Sequence, residues 1–339
     1  MISMTDTVHT GADMLLWDAH ACVPLLPDED LGHLERHRQA GASFVSINVG
    51  MDFTPLEKIV RVVAGFRSWI ARHDDRFVLA RTVDDVKSAK ETGRLAVGFD
   101  LEGSMMLQDD LSMIGFFRDL GVGQIHLAYN RDNSIAGGCH GAGIGLSALG
   151  REVVGEINAV GLIMDCSHAS KRSSLDIMEI SNKPVVFSHS NVRVLQDHPR
   201  NVDDDQIRAC AATDGVIGIC GISEFLGEGG ISTDNLVRHI DYISALVGSR
   251  HVGLGLDYVF NQKHSDLPDE LDAEDWWPSK YGYRLATGEI FPPDRLPEIA
   301  EALAARGYAD SDIRGVMGEN FLRVARLTWK PAASISRKA

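Results

Sequence analysis

Eight short apolar runs, each followed by a segment with helical spacing, dominate the pattern of this sequence. Most of the runs are almost continuously apolar and rich in β-branched residues, as expected for parallel strands that are covered on both faces. They span residues 14–20, 43–49, 95–103, 124–129, 161–168, 184–190, 215–221 and 251–258. Between them, apolar residues recur at the spacing of an amphipathic helix, as in the stripe of Leu56, Ile59, Val60, Val63 and Phe66.

This alternation within 339 residues predicts a single (β/α)8 TIM barrel. We expect one domain over residues 1–339, with the barrel core at roughly 14–329 and short polar tails at both ends. Glycines lie where five predicted helices end and the next strands begin, at Gly41, Gly93, Gly121, Gly161 and Gly248. A doubly wound sheet is the competing fold. However, no dinucleotide-binding fingerprint follows the first run, and the glycine-rich segment 137–145 lacks the ending of a phosphate-binding loop.

Charge and cysteine content exclude several classes of function. Lys and Arg total 33 against 48 Asp and Glu, and the resulting net charge of −15 argues against binding to nucleic acid. No run reaches the ~18 apolar residues of a membrane span, and residues 1–13 lack the features of a signal peptide. The five cysteines form no CxxC pair, which favours reduced thiols over a disulfide framework. We therefore expect a cytoplasmic protein with no nucleic-acid or membrane partner.

Metal-binding residue types recur at the ends of the apolar runs. In a TIM barrel, catalytic groups come from the C-terminal ends of several strands, which meet at one mouth. A lone histidine there is usually a hydrogen-bonded structural residue, an aspartate often caps the next helix, and a cysteine is often a small buried hydrophobe. The joint occurrence of imidazole, thiol and carboxylate groups instead predicts a zinc site. The residues are Asp18, His20, Cys22, Asp100, Glu102, Asp165, His168, His189 and Asp257.

Several of these residues lie in segments that resemble one known family. The segments are FDLEG (99–103), NRDN (130–133), GREVV (150–154), DCSH (165–168), FSHS (187–190) and GLGLD (253–257). They look like the membrane (renal) dipeptidase family of the metal-dependent amidohydrolase superfamily, and the resemblance extends over residues 18–326 in the same order. It implies a (β/α)8 barrel with a dinuclear zinc site that cleaves dipeptides by a metal-bridged hydroxide.

The resemblance also implies a role for each candidate ligand. Glu102 would bridge the two metals, and His168 and His189 would complete the second metal site. His20 and Asp257 would hold the first metal, and Asp257 would also handle the proton of the bridging water. A carboxylate bridge of this kind suits the ~3.5–4 Å separation that two-metal hydrolysis uses. The expected catalytic residues are therefore Glu102 and Asp257.

Substrate contacts follow the family in one place and depart from it in two others. Arg200 corresponds to the arginine that grips the substrate carboxylate. Cys22 stands where the family carries the aspartate of a His-x-Asp motif, so it either binds zinc as a thiolate or stays protonated and leaves the first site weak. Tyr129 stands where the family carries a substrate-binding histidine, and its hydroxyl can still donate to an oxyanion. Strand alternation places His126 on the opposite face, so we do not expect it to be a substitute.

Segment 259–293 is a long connection rich in acidic and aromatic residues, and it predicts either a lid over the mouth or a subunit contact. His140 and His198 lie in loops near the mouth and are candidate substrate contacts. The remaining histidines are expected to be ordinary surface or helix residues. They are His33, His37, His73, His239, His251 and His264.

Three functions fit this sequence. The leading one is a zinc-dependent hydrolase of a dipeptide or a similar small carboxylate-bearing amide, with two zinc ions per chain, or one if Cys22 does not bind. The second keeps the metal centre but acts on a non-dipeptide amide, a cyclic amide or an N-acyl compound. The third is a non-catalytic barrel with a degraded first metal site. The family commonly forms dimers, so the resemblance allows a homodimer.

Overall fold

The computed structural model describes residues 14–330, in which ten strands form one parallel sheet. The strands are β1 (Trp17–Cys22), β2 (Phe44–Met51), β3 (Phe77–Leu79), β4 (Leu95–Glu102), β5 (Val122–His126), β6 (Ile163–Asp165), β7 (Val185–Phe187), β8 (Val216–Ile219), β9 (Val252–Leu254) and β10 (Tyr258–Val259). Eight of them follow the order β1-β2-β4-β5-β6-β7-β8-β9, and β1 pairs with β9 through Asp18 and Leu254. The sheet is thus a closed barrel with helices between its strands, which confirms the prediction of a (β/α)8 TIM barrel.

The helices lie in the connections between the strands. The α-helices are α1 (Glu35–Gln39), α2 (Leu56–Arg72), α3 (Val83–Glu91), α4 (Ser112–Leu120), α5 (Ala148–Val160), α6 (Lys171–Ile180), α7 (Asp204–Ala212), α8 (Ser223–Leu226), α9 (Thr233–Val247), α10 (Ala273–Trp276), α11 (Leu296–Ala305), α12 (Asp310–Arg314) and α13 (Asn320–Thr328). The stripe predicted on α2 packs against the sheet at Ile59, Val63 and Phe66, whereas Val60 is exposed. No helix within residues 14–330 has the length and apolar character needed to cross a bilayer.

Aromatic residues fill the N-terminal end of the barrel. The rings of Trp17 and Phe44 stack with their centroids 3.8 Å apart, and Phe321 and Trp329 from the C-terminal region pack against them. Together with small apolar residues of the neighbouring strands, they form a buried cluster. Because this end is packed with apolar side chains, the polar residues of the strands are confined to the opposite, C-terminal end.

An irregularity in β1 allows both odd-numbered and even-numbered residues of this strand to face the barrel interior. Three residue steps from Asp18 to Ala21 oppose only two steps on β2, which is the mark of a β-bulge. Trp17 therefore packs inside the bottom of the barrel, while His20, three residues later, also faces the interior near the top. Strict alternation would have placed these two side chains on opposite faces.

Three details differ from the sequence-based predictions or lie beyond their reach. Strand β3 was not predicted, because its three residues pair only with β4 outside the barrel and carry no periodic signal. His37 and His239 lie on helices, one of the two predicted locations, but their full burial was not predicted. Each hydrogen-bonds to a buried partner, Asp18 for His37 and the Val192 amide for His239. The predicted polar tails, residues 1–13 and 331–339, lie outside the described residues.

Gly255 gives a test of how tightly the strands pack below the mouth. A Cβ at Gly255 would lie 1.9 Å from the carbonyl oxygen of Ser188, so Gly255→Ala should lower the free energy of unfolding by about 1–3 kcal/mol. Gly155 lies inside α5, where an added methyl group would meet nothing within 4 Å, so Gly155→Ala should raise it by about 0.5–1 kcal/mol. Urea unfolding of both variants measures this. Equal effects would contradict the close approach at Ser188.

Candidate metal centre

Three histidine nitrogens and one carboxylate oxygen converge at the C-terminal end of the barrel. Glu102 Oε1 lies 2.9 Å from His168 Nε2, 3.4 Å from His20 Nε2 and 3.7 Å from His189 Nε2. The Nε2 atoms of His168 and His189 are 2.9 Å apart. All four side chains are almost completely buried. Glu102 is thus the common neighbour of all three imidazoles.

The far side of each imidazole is held by another side chain. His168 Nδ1 lies 2.7 Å from Asn130 Oδ1, and His189 Nδ1 lies 2.7 Å from Ser188 Oγ. His20 Nδ1 lies 3.2 Å from Asp100 Oδ1. When Nδ1 donates its proton to such an acceptor, Nε2 keeps a lone pair that can bind a cation. These contacts therefore aim the three lone pairs at the same place.

The protonation preferences of the ligands agree with this geometry. Burial, reinforced by Arg200 and the other imidazoles, holds the pKa of His168 and of His189 well below the usual range, so both rings are neutral. Burial raises the pKa of Glu102 to about 7. Burial also opposes a charge on His20, but the nearby carboxylates Asp100 and Glu102 outweigh it and raise its pKa. The centre thus attracts positive charge.

Cys22 and Asp257 also lie close to His20 Nε2. Cys22 Sγ is 3.5 Å from His20 Nε2 and 3.7 Å from Asp257 Oδ1, while Asp257 Oδ1 is 3.6 Å from His20 Nε2. Burial raises the pKa of the Cys22 thiol. A second thiol, that of Cys220, lies 3.8 Å from Asp257 Oδ2 and was not predicted from the sequence. His20, Cys22 and Asp257 thus form a second group of potential ligands that shares His20 with the first.

Three residues at the mouth adopt left-handed backbone conformations, although none is glycine. They are Asn130 (φ 60°), His168 (φ 68°) and Asp257 (φ 56°), and each lies just beyond the end of a barrel strand. Such conformations cost about 1 kcal/mol or more and persist where the surrounding structure enforces them. The chain therefore accepts backbone strain to direct two potential ligands, His168 and Asp257, into the centre.

Arg200, the residue that the resemblance assigns to the substrate carboxylate, lies beside His168 and His189. Its Nη2 atom donates to the carbonyl oxygen of His189 at 3.2 Å and lies 3.3 Å from His168 Nε2. The side chain is buried and borders the cavity above the centre. A guanidinium in this position can bind a carboxylate that enters the cavity.

Tyr129 also borders this cavity, and the long connection 259–293 fixes its position. The tyrosine ring lies 4.4 Å from the ring of His168, and its hydroxyl accepts a hydrogen bond from Trp277 Nε1 at 3.2 Å. Phe53 packs edge-on against both Tyr129 and Trp277. Residues of 259–293 line the cavity, so this segment lies over the mouth, the position expected of the lid alternative, and we refer to it as the lid; its role as a subunit contact stays a prediction.

Asn130 connects this lid directly to the metal centre. Its Nδ2 atom donates to the carbonyl oxygen of Trp276 at 2.9 Å, and its Oδ1 atom is the acceptor 2.7 Å from His168 Nδ1. One amide group thus holds the end of α10 and the far side of a potential ligand. No pattern in the sequence indicated this role, since asparagine after a strand is common in turns.

The prediction that His126 lies on the opposite face is wrong. Its ring is 5.5 Å from that of His189 and 5.7 Å from that of His168, and its Nε2 lies 2.9 Å from Asp165 Oδ2. Strand β5 ends at His126, and Tyr129 lies in the connection beyond it, so strand alternation does not relate these two side chains. His126 and Asp165 form a buried pair beneath the centre, and His126 does not border the cavity.

His140 and His198 support the lid rather than line the cavity. His140 Nε2 lies 2.7 Å from the hydroxyl of Tyr283, and its ring stacks on Tyr281. The ring of His198 packs against Phe225. Burial lowers the pKa of His140 to about 3 and that of His198 to about 4, so both are neutral. Their expected role as substrate contacts stays a prediction.

The donor set fits borderline metals such as zinc. It offers neutral imidazole nitrogens, carboxylates and one thiol, which are the ligand types that zinc prefers in proteins. Hydrogen-bonded Nδ1 atoms behind the ring are typical of metal-binding histidines. Several buried carboxylates within a few ångströms also need a compensating cation.

The sequence model of the membrane dipeptidase family (Peptidase family M19) matches residues 29–275, most of the chain. The chain belongs to the membrane dipeptidase family. This result confirms the resemblance described above and places the chain in a family of metal-dependent hydrolases. Glu102, His168, His189 and Arg200 all lie within the matched residues, whereas His20 precedes them.

Curated relatives in the membrane dipeptidase family include fungal proteins. An uncharacterized dipeptidase of Schizosaccharomyces pombe is 31% identical over 284 residues, which cover 80% of this chain and 62% of the relative. The dipeptidase tcpJ of Claviceps purpurea is 30% identical over 267 residues, or 77% of this chain and 58% of the relative. The chain thus spans about three fifths of the length of these two proteins.

Solved structures show the same fold. An amidohydrolase from Pseudomonas aeruginosa superimposes with a TM-score of 0.83 at 28% identity, covering 94% of this chain and 97% of that protein. A metallopeptidase from Rhodobacter sphaeroides, solved with a phosphinate mimic of the dipeptide L-Ala-D-Ala, gives a TM-score of 0.75 at 21% identity. It covers 93% of this chain and 99% of that protein, and at this identity it supports the fold alone.

Asn130 gives a test of how His168 is held. Replacement by glycine removes the amide but tolerates the left-handed backbone, so Asn130→Gly should weaken zinc binding by about 10–100-fold without strain at that residue. Competition with a chromogenic chelator measures the affinity. Asn158→Ala, which changes a buried asparagine on α5 far from the centre, is the control. Equal affinities in both variants would show that Asn130 does not position His168.

Proposed function

We propose that this protein is a zinc-dependent hydrolase that cleaves the amide bond of a dipeptide or a similar small carboxylate-bearing amide. The observation that carries this proposal is the convergence of three imidazole Nε2 atoms on Glu102 Oε1 at the mouth of the barrel. Membership of the membrane dipeptidase family supports the reaction class. The proposed ligands are His20, Cys22, Glu102, His168, His189 and Asp257.

A pair of zinc ions at this centre would lower the pKa of a bound water and polarise the amide carbonyl. The chain's own residues supply the remaining functions. Asp257 borders the cavity, and neither Cys22 nor Cys220 neutralises it, so its carboxylate can take a proton from water and pass it to the leaving nitrogen. Glu102 would be the ligand that the two metal sites share.

Arg200 and Tyr129 orient the substrate in this proposal. The buried guanidinium of Arg200 pairs with the substrate carboxylate and sets the distance from that group to the scissile bond. The Tyr129 hydroxyl already accepts a hydrogen bond from Trp277, so its own proton is free to be donated. A donor at this place can stabilise the negative charge that develops on the carbonyl oxygen.

Two alternatives start from specific features. A non-dipeptide amide, a cyclic amide or an N-acyl compound is favoured by the two departures from the family pattern, Cys22 and Tyr129. A non-catalytic barrel would follow if the first site binds no metal, since the pKa of the Cys22 thiol is raised. A cytoplasmic location and a homodimer stay predictions.

The proposal is tested by metal content and hydrolysis together. Protein purified without a chelator should contain about two zinc ions per chain by elemental analysis and should cleave dipeptides or related small amides. Glu102→Gln should lose zinc and lower kcat/KM by about a hundredfold or more, because the shared ligand is weakened. Glu179→Gln, at an exposed position on α6, should leave both unchanged. Protein that binds no zinc even when it is supplied would overturn the proposal.

Cys22 and Cys220 form a matched pair for the first metal site. Both thiols lie beside the Asp257 carboxylate, at 3.7 Å and 3.8 Å, but only Cys22 also contacts His20 and borders the cavity. Cys22→Ala should therefore lower the zinc content toward one ion per chain, Cys22→Asp should restore it, and Cys220→Ala should not change it. Elemental analysis of the three variants decides this. Equal zinc content in Cys22→Ala and Cys220→Ala would show that Cys22 is not a ligand.

A further inference from the structure

The cavity above the metal centre contains carboxylates that already have partners. Outside the centre, the described acidic residues that line it are Glu224 and Asp266. Glu224 accepts hydrogen bonds from Arg284 Nε at 3.1 Å and from Ser223 Oγ at 2.6 Å. Asp266 accepts from the Leu25 amide and from Lys58 Nζ, both at 3.1 Å. Each of these carboxylates is neutralised by a cation, so neither is free to bind the ammonium group of a peptide.

Arg200, one of the cations that line the cavity, is in the opposite situation. Within residues 14–330, the structure shows no salt bridge between Arg200 and any carboxylate, and the protein groups that its Nη2 atom contacts are His168 and the His189 carbonyl. A buried guanidinium without a counter-ion is costly, and an anionic ligand removes that cost. Outside the metal centre, the described part of the cavity therefore offers a cation for a negative charge but no unpaired carboxylate for a positive one.

Apolar residues lie on the side of the mouth opposite Arg200, next to the paired carboxylate of Asp266. Arg200 lies in the connection after β7, whereas Val23 and Pro24 follow β1, and Met51 and Phe53 lie at the end of β2. In the barrel order β1-β2-β4-β5-β6-β7-β8-β9, the β1–β2 pair lies across the barrel from β6 and β7. A substrate that places its carboxylate on Arg200 and its amide over the centre thus extends its other end onto this apolar wall.

We propose, on the basis of the function proposed above, that the preferred substrate is an N-acyl amino acid with an apolar acyl group rather than a dipeptide with a free α-amino group. Water cleaves the amide C–N bond. The acyl carbon gains the oxygen of water, the nitrogen gains a proton, and the products are a carboxylic acid and an amino acid. The amino acid carboxylate is held by Arg200, and the acyl chain packs against the β1–β2 wall.

A pair of compounds that differ only in the amino group tests this preference. 4-Methylpentanoyl-alanine is leucyl-alanine without its α-amino group, and both are prepared with L- and D-alanine. For the zinc-loaded protein, kcat/KM should be at least about tenfold higher for the N-acyl compound, because an ammonium group would lose its hydration without gaining a counter-ion. 4-Methylpentanoyl-alaninamide, in which an amide replaces the carboxylate, cannot pair with Arg200. Its kcat/KM should be at least about tenfold lower than that of 4-methylpentanoyl-alanine.

Binding separates this inference from the proposed function. In ketomethylene isosteres of the two compounds, a methylene group replaces the amide nitrogen, so they cannot be cleaved, and calorimetry gives their affinity for the zinc-loaded protein. Tighter binding of the isostere without the amino group supports the inference, even if no amide is hydrolysed and the proposed function fails. Equal or tighter binding of the amino compound overturns the inference, while dipeptide hydrolysis would leave the proposed function intact.

A single substitution should reverse the preference. Met51 lies on the apolar wall, is half-buried and pairs with Glu102 across β2 and β4. Met51→Glu supplies a carboxylate for an ammonium group and should raise the ratio of kcat/KM for leucyl-alanine over the N-acyl compound by about tenfold. Met51→Gln has the same shape without the charge and should leave this ratio near that of the parent. Equal ratios in the two variants, with unchanged melting temperatures, would show that the wall does not face the amino group.

Discussion

The polar contact behind each imidazole is the interaction on which the candidate metal centre depends. Asp100, Asn130 and Ser188 fix the Nδ1 atoms of His20, His168 and His189, and only then do the three Nε2 atoms face Glu102. Asp100 and Asn130 each come from a different strand or connection than the histidine that they contact. The centre therefore forms only when the barrel is closed. Closure in turn requires the aromatic packing at the opposite end, where apolar side chains exclude water from the interior.

The same arrangement places several buried acids within a few ångströms of one another. Such a group of charges opposes folding unless a cation offsets it. Three left-handed residues at the mouth add backbone strain. The large apolar core between the sheet and the helices supplies the stability that carries these local costs. Backbone strain is thus present at the candidate site, as is common at functional sites.

The sequence alone was sufficient for the barrel and for the residues gathered at its mouth. Apolar runs indicate strands, because burial restricts the residue type at each position. Glycines indicate helix ends, because the left-handed turn there favours glycine. Alternation failed for His126 because it was carried past the end of β5 to Tyr129, which lies in a connection where side chains no longer alternate. Asn130 and Cys220 were missed for another reason. Their importance lies in contacts with Trp276 and Asp257, which are 146 and 37 positions away in the chain.

The double contact of Asn130 has a consequence for how this protein can change over evolutionary time. The segment that shapes the cavity, and therefore the choice of substrate, rests through α10 on the same amide group that orients His168. Substitutions that reshape the lid alter the support of a metal ligand at the same time. Substrate range and metal affinity are therefore not independent traits in this chain, and a lineage that acquires a new substrate through its lid must also retune its hold on the metal.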